Sequence, residues 1–223
     1  MTPHIIGVIL AIISAVAWGT GDFSGGVATR SQSQFQVLFL SAVPGIVLLA
    51  VIAIFIGENL PSQKDVLWAL SAGISGALGV AALYKGLSIG NAATVAPTAA
   101  VIGAGLPVAF SCFTLGIPGT TQLIGFLAAV FGIWFVSRPS EDQGRSGIQG
   151  LIPAVLAGAG FGGFFILIAQ VSQGMVFIPL VLTKTAAFTL AFFILIFRQE
   201  GVPSLISNPI ALTAGVFDAG GNI

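Results

Sequence analysis

Charge is what this sequence lacks. Seven Lys/Arg and seven Asp/Glu make up 6% of its 223 residues, where soluble domains carry about 25%. So few charges cannot cover a water-facing surface, which excludes a soluble globular domain. The formal net charge is zero, so neither a basic nucleic-acid-binding patch nor an acidic tail is present. Cysteine and histidine occur once each, as Cys112 and His4. One cysteine excludes an internal disulfide framework, and the pair is too small a ligand set for a structural metal. No G-x-x-x-x-G-K-[ST] stretch occurs, which argues against a nucleotide-driven pump. No nucleophile–base set suggests an enzyme, and no cofactor is expected.

What is present is apolar: 56% hydrophobic residues and a mean hydropathy of +1.07. A bilayer core about 30 Å thick needs about 20 apolar helical residues. Runs of that kind are expected at roughly 5–27, 35–57, 66–88, 92–115, 120–137, 148–171 and 175–197, with an eighth starting near 208. The first run follows no Lys or Arg and is read as a spanning helix, not a removed signal. The fold class is therefore an all-α integral membrane protein, since unpaired backbone groups exclude open sheets from lipid. Short connections such as RSQSQ, SIGN and GIPG make neighbouring helices antiparallel. Many of the 30 glycines fall at small-residue spacing, which lets helix backbones approach closely.

One hydrophilic stretch, SRPSEDQGRSG, carries Arg138, Glu141, Asp142 and Arg145 and divides the chain. Sliding the sequence by 142 positions places Glu58, Pro61 and Ser62 on Glu200, Pro203 and Ser204. The same shift places Gly73 and Gly79 on Gly215 and Gly221, so that ALSAGISGALG echoes ALTAGVFDAGG. With one residue of slippage, Gly7, Ala11, Trp18 and Gly19 fall on Gly150, Ala154, Phe161 and Gly162. The expected organisation is a five-helix unit at 1–137, a polar connector at 138–147 and a partial second unit at 148–223. An odd helix number per unit inverts the second relative to the first. Counterparts of Lys85 and Pro97 would lie beyond Ile223, so ten helices are expected in all, with about seven and a half within these residues. A chain truncated in helix eight, with part of the second unit's wall absent, is expected not to transport alone.

Three stretches, AVAWGTGDFSGG, ALYKGLSIGNAATVAPTAAV and QLIGFLAAVFGIWFV, together with the two-fold repeat, resemble the EamA family of the drug/metabolite transporter superfamily. The chain departs from that family's frequent Gly-Glu step between helices four and five, reading Gly116-Ile117-Pro118. The resemblance implies ten-helix exporters or permeases of metabolites, amino acids or toxic compounds, shaped as a basket around a central cavity. It also implies a cytoplasmic N-terminus, whereas Arg30, Arg138, Arg145 and Arg198 opposite Lys64 argue for an external one.

Four charges fall within expected helices: Asp22, Lys85, Lys184 and Asp218. A charge at the bilayer centre costs about 2.5–3.5 kcal/mol on insertion scales and usually faces a cavity or a partner. Asp22 and Lys85 are expected at one depth, as a pair, around one vestibule, or snorkelling to the interface. Lys184 and Asp218 lie deeper, and an acid among them is a candidate proton carrier. Pro97 frees the carbonyl of Ala93, with Thr94 and Thr98 beside it and Asn91 in the preceding turn. Trp18, Tyr84 and Gln170 complete the candidate cavity lining. The expected function is secondary transport, by alternating access, of a small metabolite, amino acid or drug-like solute. Export across an inner (plasma) membrane heads the readings, with a proton one candidate for the coupling ion and that ion left open. Its rivals are an uptake permease and a non-transporting scaffold. The expected partners are a small-molecule substrate and the bilayer, with no nucleic acid.

Overall fold

A computed structural model describes residues 3–136 and 150–223; the connector expected at 138–147 lies outside them. The described residues form α1 (Pro3–Ala28), α2 (Gln34–Ile56), α3 (Gln63–Ile89), α4 (Ala92–Thr114), α5 (Thr120–Val136), α6 (Leu151–Ile168), α7 (Phe177–Phe197) and α8 (Pro209–Gly220), with no strand among them. Six of these (α1, α2, α3, α4, α6 and α7) are long and apolar enough to cross a membrane. The remaining two are shorter, α5 with 17 residues and α8 with 12.

Local chemistry sets the helix starts. Ser33 opens α2 and Ser62 opens α3, each through a capping box closed by Gln36 or Asp65. The hydroxyl accepts an orphan N–H three residues on, and the third residue's side chain accepts from the cap's own N–H. Asn91 and Asn208 cap α4 and α8 by accepting from Ala93 and Ala211 N–H, and Pro209 follows at the first helical position. Gly57 ends α2 with φ +70°, a left-handed turn that glycine makes without a Cβ penalty.

At the centre, α2 and α7 pack antiparallel. Glu58, just past the end of α2, meets the start of α7, and Glu200, just past α7, meets Ser33 at the start of α2. Around this pair, α3 packs on α7 and α6, α8 packs on α2 and α1, and α4 covers α6. The main core cluster joins Val37–Leu40 of α2, Ala77, Ala81 and Tyr84 of α3, Ala187, Ala191 and Leu195 of α7, and Ala211 of α8.

Alanine and glycine fill these contacts because helices in lipid gain little from burying large apolar groups; they gain from close backbone approach. Gly73 of α3 lies against the Thr183 carbonyl of α7, and Gly215 of α8 lies against the Ser41 carbonyl of α2. A Cβ at either position would overlap that carbonyl. Outward-facing apolar side chains, Ile5, Ile9, Leu10, Ile12, Ile13 and Val16 of α1 among them, are exposed. Exposure to acyl chains carries no hydrophobic penalty, so this surface suits a bilayer.

Candidate functional site

Between the helices lies a cavity of about 320 Å³. Trp18 and Asp22 line it from α1, and Gly76, Val80 and Leu83 from α3. The small residues Ala96, Ala99, Ala100, Gly103 and Ala104 of α4 form one wall. Phe161, Phe164 and Phe165 of α6 form another; Leu180, Thr183 and Lys184 of α7, Asp218 of α8 and Asn222 complete it. The walls are thus largely apolar and aromatic, with three charges on three helices. Trp18 and Phe165 face each other with ring centroids 6.3 Å apart.

Packing brings the charges together. Lys184 and Asp218 form an ion pair, with side chains 17% and 34% exposed. The aliphatic stem of Lys184 runs along Gly45 of α2, where a Cβ would stand 3.6 Å away. Gly21 lets α1 approach α8, since a Cβ there would be 3.1 Å from both Ala214 O and Asp218 N. That approach puts the next residue, Asp22, within electrostatic reach of Asp218 and Lys184. Among the described residues, Asp22 itself has no hydrogen bond or ion pair.

Tyr84 is 2% exposed and lies behind this wall. It borders a smaller adjoining pocket of about 50 Å³ together with Thr183, Lys184 and Asp218. Its ring occupies the space a side chain on Gly25 would need. Of the residues singled out in the sequence, Trp18, Asp22, Lys184 and Asp218 therefore meet at the main cavity, and Tyr84 at its neighbour.

The others stand elsewhere. Lys85 is exposed and does not pair with Asp22. Successive helical residues point about 100° apart, so burying Tyr84 against α1 turns Lys85 outward. Asn91 is the cap of α4. Pro97 sits within an α4 that continues as one helix to Thr114. Thr98 donates to the Thr94 carbonyl at 2.7 Å, a backbone bond one turn back, and neither threonine lines the cavity. Gln170 is exposed past the end of α6, donating to Ile166 O.

Sequence reasoning missed the Phe161–Phe164–Phe165 wall and the small-residue face of α4. Only α4's run of Ala and Gly at one helical face signalled the latter. Nothing in a uniformly apolar α6 distinguishes its inward rings from its outward ones.

Apolar spanning helices packed through small residues around a charged cavity define a multi-pass α-helical membrane protein. Residues 5–138 match the model of the EamA-like transporter family, more than half of the chain. The chain belongs to that family. It is also 28% identical over 134 residues to an uncharacterized protein of Methanocaldococcus jannaschii, covering 58% of this chain and 95% of that protein. That relative is thus about as long as the stretch of this chain from α1 through α5.

Proposed function

We propose that the chain forms part of a secondary transporter that carries a small solute through the Asp22–Lys184–Asp218 cavity by alternating access. The observation that carries this reading is the cavity itself. It is walled by helices from both sides of the polar connector and holds charges that a purely structural bundle would not retain in lipid. Membership of a transporter family accords with it.

Alternating access by two inverted units is supported by contacts that repeat under the 142-residue shift. Gly73 meets Thr183 and Gly215 meets Ser41, and these four residues exchange under that shift. Thr183 and Ser41 each donate their hydroxyl to a Leu carbonyl three residues back, Leu180 and Leu38, again a related pair. Gly79 meets Phe161 and Gly221 meets Trp18. Packing of α3 on α6 likewise has its counterpart in α8 on α1. In this reading α2 and α7 lie on the pseudo-two-fold axis and the units rock about them.

Export out of the cell across the plasma membrane, with a proton exchanged at Asp22 or Asp218, is the working direction and coupling. The test is solute flux into liposomes holding the protein expressed from its own gene, with and without a pH gradient. Asp22→Asn and Asp218→Asn are expected to abolish gradient-driven flux while leaving the protein folded. Flux unchanged in both variants would remove the cavity from the mechanism; flux indifferent to the gradient would remove the proton.

A further inference from the structure

The charges in the cavity do not cancel. Lys184 is engaged by Asp218, which leaves the Asp22 carboxyl group lining the cavity with no described partner. Apart from these three, the hydrogen-bonding groups on lining side chains are Thr183, Asn222 and the Trp18 indole N–H. An anionic solute would find the cavity's single ammonium already occupied, and would face Asp22 besides. A neutral polar solute would lose its water against aromatic and alanine walls with few hydrogen-bonding groups in return.

An organic cation meets neither difficulty. Its charge sits against Asp22, and its body replaces water along Trp18, Phe161, Phe164 and Phe165. Aromatic faces attract a cation through the ring quadrupole, most strongly where both are desolvated. The 142–143 shift makes the asymmetry plain: Asp22 corresponds to Phe165, and both line the same cavity. One unit supplies the carboxylate and the other supplies the ring.

Resting on the transport reading above, we infer that the cavity takes organic monocations bearing an aromatic or apolar body, with Asp22 as the charge-recognising residue. The purified protein is titrated with benzyltrimethylammonium and with phenylmethanesulfonate, a probe of similar size and opposite charge. The signal is Trp18 fluorescence in a background of Trp68→Phe and Trp134→Phe. Saturable quenching is expected with the cation and none with the anion at equal concentration. Asp22→Asn is expected to weaken cation binding at least about tenfold, whereas Asp22→Glu retains it.

Binding of the anion as tight as that of the cation, or an Asp22→Asn affinity within about twofold of the parent, would overturn the inference. So would the absence of binding by the cation. Flux of an anionic or neutral solute through liposomes would overturn cation selection and leave the transporter reading intact. Cation binding without flux of any solute would do the reverse.

Discussion

Glu58 and Glu200, 142 positions apart, each hold the start of a helix on the other side of the connector. The Glu58 carboxylate accepts from the backbone N–H of Val176, Phe177 and Ile178, at 2.5, 3.1 and 2.5 Å, at the opening of α7. Val176 has no side-chain cap of its own, so Glu58 supplies it from outside. The Glu200 carboxylate accepts from the hydroxyl of Ser33, the cap of α2. Because α2 and α7 are antiparallel, the two contacts lie at opposite ends of the bundle. An anion at a helix N-terminus meets orphan N–H groups and the positive end of the helix dipole.

Glu58→Ala is expected to lower stability by about 1–2 kcal/mol, the usual size of a lost N-terminal cap. Glu200→Ala should cost less, since Ser33 keeps its capping box with Gln36. The two sites share no partner, so the double variant should be additive within about 0.5 kcal/mol. SDS unfolding titrations in mixed micelles measure all three.

Asp65 joins the same frame. It closes the box at Ser62 and also accepts from Ser172 N–H at 2.9 Å and Ser172 hydroxyl at 3.0 Å. Asp65→Asn leaves one acceptor oxygen where several bonds converge, and a loss of stability is expected. Ser172→Ala should recover little of it, because the Ser62 N–H and hydroxyl also bond to Asp65.

The Lys184–Asp218 pair gives a sharper contrast. Removing one partner of a fully buried ion pair costs about 3–5 kcal/mol, and replacing both is often neutral. Partial exposure here lowers the single-variant cost to about 1–3 kcal/mol by the same reasoning. Lys184→Met and Asp218→Asn are each expected to destabilise, and the double variant to recover most of the loss. A double variant as unstable as the sum of the singles would show that the two residues act separately.

Gly73 and Gly215 are expected to be intolerant of any side chain. Added volume must push α3 from α7, or α8 from α2, and overpacking of this kind costs about 1–3 kcal/mol or more. Gly73→Leu and Gly215→Leu should therefore lower the unfolding midpoint more than Gly201→Leu, at a position where a Cβ meets nothing within 4 Å.

Gly25→Ala should displace the Tyr84 ring from behind the cavity wall, with a comparable loss of stability. Tyr84→Leu added to Gly25→Ala should relieve the overlap. If the double variant is no better than Gly25→Ala alone, the ring is not the obstacle.

Much of this architecture is written in the sequence by itself. The near absence of charge leaves only a lipid-solvated, all-helical chain, and run lengths place the helices because a spanning helix must match the bilayer core. Ser33, Ser62, Asn91 and Asn208 mark helix starts because a short polar side chain satisfies orphan N–H groups using local geometry alone. Charge within an apolar helix also marked Asp22, Lys85, Lys184 and Asp218 as residues in want of a cavity, a partner or the interface. Which of them meet was a different matter. In an apolar helix no polar face reveals the inward direction, so Lys85 and Tyr84, adjacent in sequence, could not be assigned to outside and inside. The pairing of Lys184 with Asp218, the isolation of Asp22 and the aromatic wall of α6 depend on how α1, α6, α7 and α8 rotate and cross. Those rotations are set by backbone contacts at Gly21, Gly73 and Gly215, between residues far apart in the chain, and only the packed bundle brings them together.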